Sequence, residues 1–254
     1  MKYMGSKARI AKHILPIMLD EVEKKGITTW VEPFVGGANM IKTIPKSMNR
    51  IGYDKNVYLI EMYKYLQKNG FNYPEEISKE LYDACRTAYN TNSWHVCSQE
   101  VDASFIGWVG FMASANGRFF DGGYSGISKT KIGTERNYIS ESVRGLKKEF
   151  PDLKGVEFIS DDYLNLDFKN TLIYCDPPYK GTKTYNTSKN FNHGQFFDWC
   201  REQAKRGNVV FVSEYEAPED FECVWQQEVK SSLSANEVSG GNKVSVEKLF
   251  KVSV

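Results

Sequence analysis

The residues best suited to chemistry are Asp176, Pro177, Pro178 and Tyr179, which follow directly on the apolar run Leu172, Ile173, Tyr174 and Cys175. That run suits a buried strand, and two consecutive prolines, with no N–H to donate, cannot continue a central ladder, so the strand must end there. In an open α/β sheet, ligands bind just beyond the carboxyl ends of strands. A carboxylate, a stiff backbone and an aromatic ring therefore fall at the usual position of chemistry. An exocyclic amino group on a nucleobase is a poor nucleophile, because its lone pair is delocalised into the ring. The Asp176 carboxylate and the Pro177 carbonyl offer two acceptors for its two hydrogens, and would favour the pyramidal nitrogen that forms during attack. Tyr179 offers a ring on which a base taken out of a duplex could stack. The same four residues also suit a plain strand end, with Asp176 capping a Pro-Pro turn and Tyr179 half-buried.

Such a loop needs a sheet to hold it and a neighbouring strand end to bring a second reactant. Thr28 to Glu32 reads as a strand and Pro33 to Asn39 as a tight turn, in which Gly36 and Gly37 let backbone N–H groups approach a polar ligand. The next strand, Arg50 to Asp54, ends in an acid about 20 residues downstream, the spacing at which α/β nucleotide folds bind a ribose hydroxyl. Asp161, after the strand 156–160, is a further acid at a strand end. Helical patterns cover 10–22, with Pro16 expected to kink or divide the helix, and 56–69, then 75–89, 99–114 and 135–150. The tail, 223–230 and 244–252, alternates as two closing antiparallel strands. The long stretch without a clear strand breaks the β-α-β rhythm. The expected architecture is therefore α/β, a Rossmann-like sheet from residues 1–56 and 150–254 interrupted by a mostly helical insertion at 57–149.

Composition narrows the setting. A chain of 254 residues with 41% hydrophobic and 26% charged residues is ordinary for a soluble globular protein, and no apolar run is long enough for a membrane span. Lys2, Lys7, Arg9 and Lys12 break up the region where a secretory leader would be apolar, so none is expected. The five cysteines are odd in number and contain no CxxC pair, which points to reduced thiols in a cytoplasm and away from a zinc site or disulfide framework. A net charge of +1 gives no global sign of a polyanionic partner, but two local clusters mix basic and aromatic residues as phosphate contact and base stacking require. One spans 118–136 and supplies Arg118, Phe119, Tyr124, Lys129 and Lys131 as candidates, with its aromatics expected to be exposed. The other spans 180–189 and supplies Lys183 and Lys189. Each cluster also reads as a solvated loop.

Four stretches in this order, YMGSK from Tyr3, VEPFVGGANM from Val31, YDKN around Asp54 and CDPPY from Cys175, resemble the DNA adenine-N6 methyltransferases of the Dam type. The resemblance implies an S-adenosylmethionine-dependent methyltransferase sheet with the insertion as target-recognition region. The substrate would be double-stranded DNA and the product N6-methyladenine, as in restriction-modification systems. It assigns Tyr3, Lys7, Phe34, Gly36, Gly37, Asp54, Asp161 and Asp176 to the methyl donor. The target base would be flipped out against Asp176, Pro177, Pro178 and Tyr179, with direct transfer and neither a metal nor a cysteine nucleophile. The protein is expected to be cytoplasmic and a monomer or weak dimer. Ser6 and Ala38-Asn39 stand where the family often has glycines, and 116–126 matches the GATC-reading pattern only loosely, so GATC specificity is not carried over. The open alternatives are another amino-methylating enzyme, acting on cytosine N4, RNA or a glutamine side chain, and a non-catalytic DNA-binding module of the same fold.

Overall fold

The computed structural model describes residues 1–3, 5–97, 99–129, 133–180, 191–230 and 244–253. In chain order the helices are α1 (Ala11–Lys25), α2 (Val57–Asn69), α3 (Lys79–Thr91), α4 (Ala103–Ala113), α5 (Tyr138–Glu149) and α6 (His193–Lys205). The strands are β1 (Thr29–Glu32), β2 (Asn49–Asp54), β3 (His95–Val96), β4 (Gln99–Glu100), β5 (Ile127–Lys129), β6 (Glu135–Asn137), β7 (Val156–Ser160), β8 (Thr171–Cys175), β9 (Val209–Glu214), β10 (Phe221–Lys230) and β11 (Val244–Val252). Seven strands form one sheet in the order β10-β11-β9-β8-β1-β2-β7, while β3-β4 and β5-β6 are separate two-stranded ribbons. The pairs β8-β9, β1-β8, β1-β2 and β2-β7 are parallel, and β11 lies antiparallel between β9 and β10. The Rossmann-like α/β sheet read from the sequence is thus the observed one.

The sheet is buried on both faces, and strand periodicity sorts its side chains. Leu172 and Tyr174 of β8, Val209 and Phe211 of β9 and Leu249 of β11 enter the larger core with Trp30, Ile14, Met18 and Tyr63. Their alternates Ile173, Cys175, Val210, Val212, Phe250 and Val252 enter the second core, against Phe196, Trp199 and Cys200 of α6. Most helices start at a polar cap: Asn56, Ser78, Asp102, Asn137 and Asn192 each accept a backbone N–H from the first turn. Helix α1 runs undivided through Pro16. Pro16 and Lys12 both lie on its exposed face, where water can take the carbonyl that the proline leaves without a donor.

Among the described residues, the 57–149 stretch adds no strand to the large sheet. Helix α2 packs on the sheet, the Tyr63 ring stacking on Phe158 with centroids 4.5 Å apart. Helix α4 packs on α2 so closely that a Cβ at Gly107 would lie 2.1 Å from the Tyr58 carbonyl oxygen. Only glycine permits that approach.

Candidate active site

Strands β8, β1 and β2 are parallel neighbours, so the residues that follow them open on the same edge of the sheet. The loop after β8 brings Asp176 to Tyr179, the turn after β1 brings Phe34 to Gly37, and β2 ends in Asp54. This common edge is the arrangement the sequence required. The turn and the strand end are tied directly: Asp54 Oδ2 accepts the Gly36 N–H at 3.1 Å and its Oδ1 accepts the Asn56 N–H at 2.9 Å. Burial pushes the Asp54 carboxyl up to about 6, against the pull of those two N–H groups. Asp161 stands beside it, its N–H donating to the Asp54 carbonyl at 3.3 Å and its Oδ1 accepting from Asn165 Nδ2 at 2.8 Å.

The glycine turn is covered by the N-terminal segment. A Cβ at Gly36 would lie 2.8 Å from the Tyr3 ring, and one at Gly37 only 2.5 Å from Tyr3 Cβ. The opposite side of the turn is tied to α2, since the Tyr63 hydroxyl donates to the Gly36 carbonyl at 3.1 Å. Tyr3 in turn stacks on Phe111 of α4 at 6.1 Å. Phe34 packs edge-on against Phe196 at 5.6 Å and tilted against Tyr163 at 5.3 Å, at the rim of the second core.

Lys7 is placed at the proline loop. Its ammonium lies 3.1 Å from Asp176 Oδ1, 3.8 Å from Glu247 Oε2 and 4.3 Å above the centroid of the Tyr179 ring, and it donates to the Gly5 carbonyl at 3.1 Å. Burial pulls the Lys7 ammonium down, but Asp176 and Glu247 outweigh it and leave it above its ordinary value. For Asp176, burial pushes the carboxyl up while Lys7 pulls it back, with a net rise. The Tyr179 hydroxyl donates to Glu247 Oε2 at 3.0 Å, and its ring meets Tyr215 edge-on at 4.7 Å. The Pro178 carbonyl lies 3.0 Å from His193 Nε2 at the start of α6.

Three acids that are not among the candidates read from the sequence complete the surroundings. Glu32, 3% exposed, accepts the Trp30 indole N–H at 3.0 Å, and burial holds its carboxyl well above the usual range. Glu214 accepts the N–H groups of Tyr215 at 2.7 Å and Lys180 at 3.2 Å. Glu247 reaches the site from β11. The end of β9 marks Glu214 in hindsight, whereas Glu247 becomes visible only once β11 is placed in the sheet.

The basic and aromatic candidates of the 118–136 cluster are spread over two settings. Phe119, expected to be exposed, is 8% exposed and packs on Phe111 at 4.7 Å and Tyr89 at 5.0 Å. A Cβ at Gly110 would meet its ring at 2.4 Å, so the helix surface is shaped to receive it. The Tyr124 hydroxyl donates to the Ile77 carbonyl at 2.7 Å. Arg118 is partly buried, and its Nε has no hydrogen-bond partner among the described residues. Lys129 is exposed on the β5-β6 ribbon. Lys131, Lys183 and Lys189 lie outside the described residues.

Comparison with known proteins gives the same direction. Type II methyltransferase M.FokI of Planomicrobium okeanokoites is 26% identical over 228 residues, which cover 80% of this chain but 32% of that protein. Type II methyltransferase M.MjaIII of Methanocaldococcus jannaschii is 25% identical over 247 residues, covering 84% of this chain and 82% of that one. The chain thus spans about a third of the length of the first relative and most of the second. Residues 3–100 match the model of a family described as D12 class N6 adenine-specific DNA methyltransferase. That segment, which carries Tyr3, Lys7, the glycine turn and Asp54, is similar to the D12 class N6 adenine-specific DNA methyltransferases.

Proposed function

We propose that the protein is a site-specific DNA methyltransferase that places a methyl group on the N6 amine of an adenine flipped out of double-stranded DNA. The observation that carries this reading is the shared edge, where Asp176, against the Lys7 ammonium at 3.1 Å, neighbours the glycine turn and Asp54. The donor is S-adenosylmethionine, which supplies an electrophilic methyl group on a cationic sulfur. Two features of the site fit it. Asp54 keeps a lone pair on each carboxylate oxygen beyond the backbone N–H it accepts, which leaves room for ribose hydroxyls. Asp176 and Glu247 set two acids against the single buried Lys7 ammonium, a balance that suits a cationic sulfonium.

The target amine would donate one hydrogen to Asp176 and one to the Pro177 carbonyl, whose direction is fixed by the proline ring. Lys7 beside Asp176 favours the ionised carboxylate, the only form that accepts without competing as a donor. Tyr179, with one ring face under the Lys7 ammonium, would present the rest of its ring to the base. Residues 57–149 are proposed as the region that reads the DNA sequence, with Arg118 and Lys129 as its candidate contacts.

The test is digestion and mass spectrometry of DNA incubated with the protein and donor. The expected product is N6-methyladenine. N4-methylcytosine, or no methylated base across DNA of mixed sequence, would refute the reading. Asp176→Ala should lower the rate by about 10²–10³-fold or more, the scale of losing one oriented acceptor at a reacting centre, and leave DNA binding largely intact.

A further inference from the structure

One ammonium needs one carboxylate, yet the buried Lys7 faces two. Its side chain is 7% exposed, Asp176 lies 3.1 Å away and Glu247, 15% exposed, lies 3.8 Å away. Burying a second acid beside an already paired cation adds desolvation cost, and such clusters are often replaceable by apolar residues without loss of stability. Stability alone therefore gives no reason for Glu247. Its position does. Strand β11 runs antiparallel to β9, with Lys248 opposite Glu214, so its first residues come to the sheet edge where β8 and β9 end. Glu247 lies two residues before Leu249, which enters the larger core beside Tyr174 and Phe211, and so points to the same face. There one carboxylate oxygen, Oε2, meets both the Tyr179 hydroxyl at 3.0 Å and the Lys7 ammonium at 3.8 Å.

The geometry assigns to Glu247 a positioning role in the transfer site: it holds the Tyr179 hydroxyl and the Lys7 ammonium together, so that the ring and Asp176 keep a fixed separation and orientation toward the target base. Chain connectivity does not enforce this. The two groups come from distant parts of the sequence, and they meet through the ammonium resting on the ring and through this shared acid. The inference rests on the methyltransferase reading for its catalytic half and on geometry alone for its structural half. The titratable groups facing Lys7 are Asp176 from the loop after β8, Glu247 from β11, Glu214 from the end of β9, and Tyr179 and Tyr215 from the loops beside them.

The experiment compares Glu247→Gln, Glu247→Ala and Tyr179→Phe in the full chain. Lys7 is titrated by NMR of the isotopically labelled ammonium, and methyl transfer is measured as kcat and KM for DNA. Gln keeps an acceptor for the Tyr179 hydroxyl and removes only the charge; Phe keeps the charge and removes only the hydroxyl. In Glu247→Gln the Lys7 midpoint should fall while melting temperature and KM stay near wild type and kcat drops at least threefold. In Glu247→Ala kcat should drop at least tenfold with KM changed less than threefold. In Tyr179→Phe the Lys7 midpoint should stay raised while kcat falls. An unchanged Lys7 midpoint in Glu247→Gln would overturn the assignment. So would a kcat unmoved in Glu247→Ala, or a rise in KM that tracks a loss of folded protein. Wild-type protein that methylates no DNA, with the Lys7 midpoint still falling in Glu247→Gln, would refute the catalytic reading and uphold the hold on the ammonium.

Discussion

Gly37, in the turn after β1, has no room for an added methyl group. Its Cβ would lie 2.5 Å from Tyr3 Cβ and 2.7 Å from Asn39 Nδ2, and the first of these sits next to backbone and cannot swing away. Gly37→Ala should therefore cost about 1–3 kcal/mol of stability through overpacking, read by chemical denaturation. It should also weaken binding of the donor or its demethylated product, read by calorimetry, because Tyr3 must leave the turn. The sequence reads both glycines as points where backbone N–H groups could approach a ligand; in the structure Tyr3 also packs against both. Glu247 shows the opposite case, since one acid among many in the tail acquires meaning only when β11 is placed between β9 and β10.

The elements were legible where local rules govern them. Apolar periodicity marks the helices, and the Pro-Pro pair marks the end of β8. The short ribbons β3-β4 and β5-β6 carry two or three residues per strand, too few for alternation to register. Strand β9 supports a pH prediction. Its last residue, Glu214, has a side chain 1% exposed, and burial pushes its carboxyl up to about 7 in spite of the Tyr215 and Lys180 N–H groups. The protonated form is the one this environment favours. Its contribution to stability is full below the carboxyl's unfolded value near 4.5 and is lost as pH rises through about 7. Glu214→Gln removes that ionisation, so the variant's stability relative to wild type should improve between pH 5 and pH 8 by up to about 3 kcal/mol. Melting curves across that range check it. A gap that stays constant with pH would show that Glu214 does not titrate there.

At the scale of the molecule, a net charge of +1 leaves any attraction to DNA to local clusters. If Lys129 and Lys131 touch phosphate, replacing both by glutamine should weaken binding to all sequences alike. It should also reduce the slope of log affinity against log salt by about one for each lysine replaced. An unchanged slope would place DNA elsewhere. The sequence showed a stretch between 57 and 149 that departs from the β-α-β rhythm, but misjudged the surface of its 116–126 segment. A run of glycines and aromatics reads as an exposed loop, whereas Phe119 and Phe120 are drawn into a ring cluster with Tyr82, Tyr89 and Phe111. That burial needs α3 and α4 already in place, which no local pattern reveals.

The insertion of β11 between β9 and β10 links competence to synthesis. A nascent chain that has emerged from the ribosome only as far as residue 230 can pair β8 with β9 and present the proline loop, but β9 then remains an open edge and Glu247 has yet to emerge. Such an intermediate would have the reactive carboxylate without the acid that steadies its neighbours. On the proposed reading, the transfer site is complete only once β11 has paired with β9.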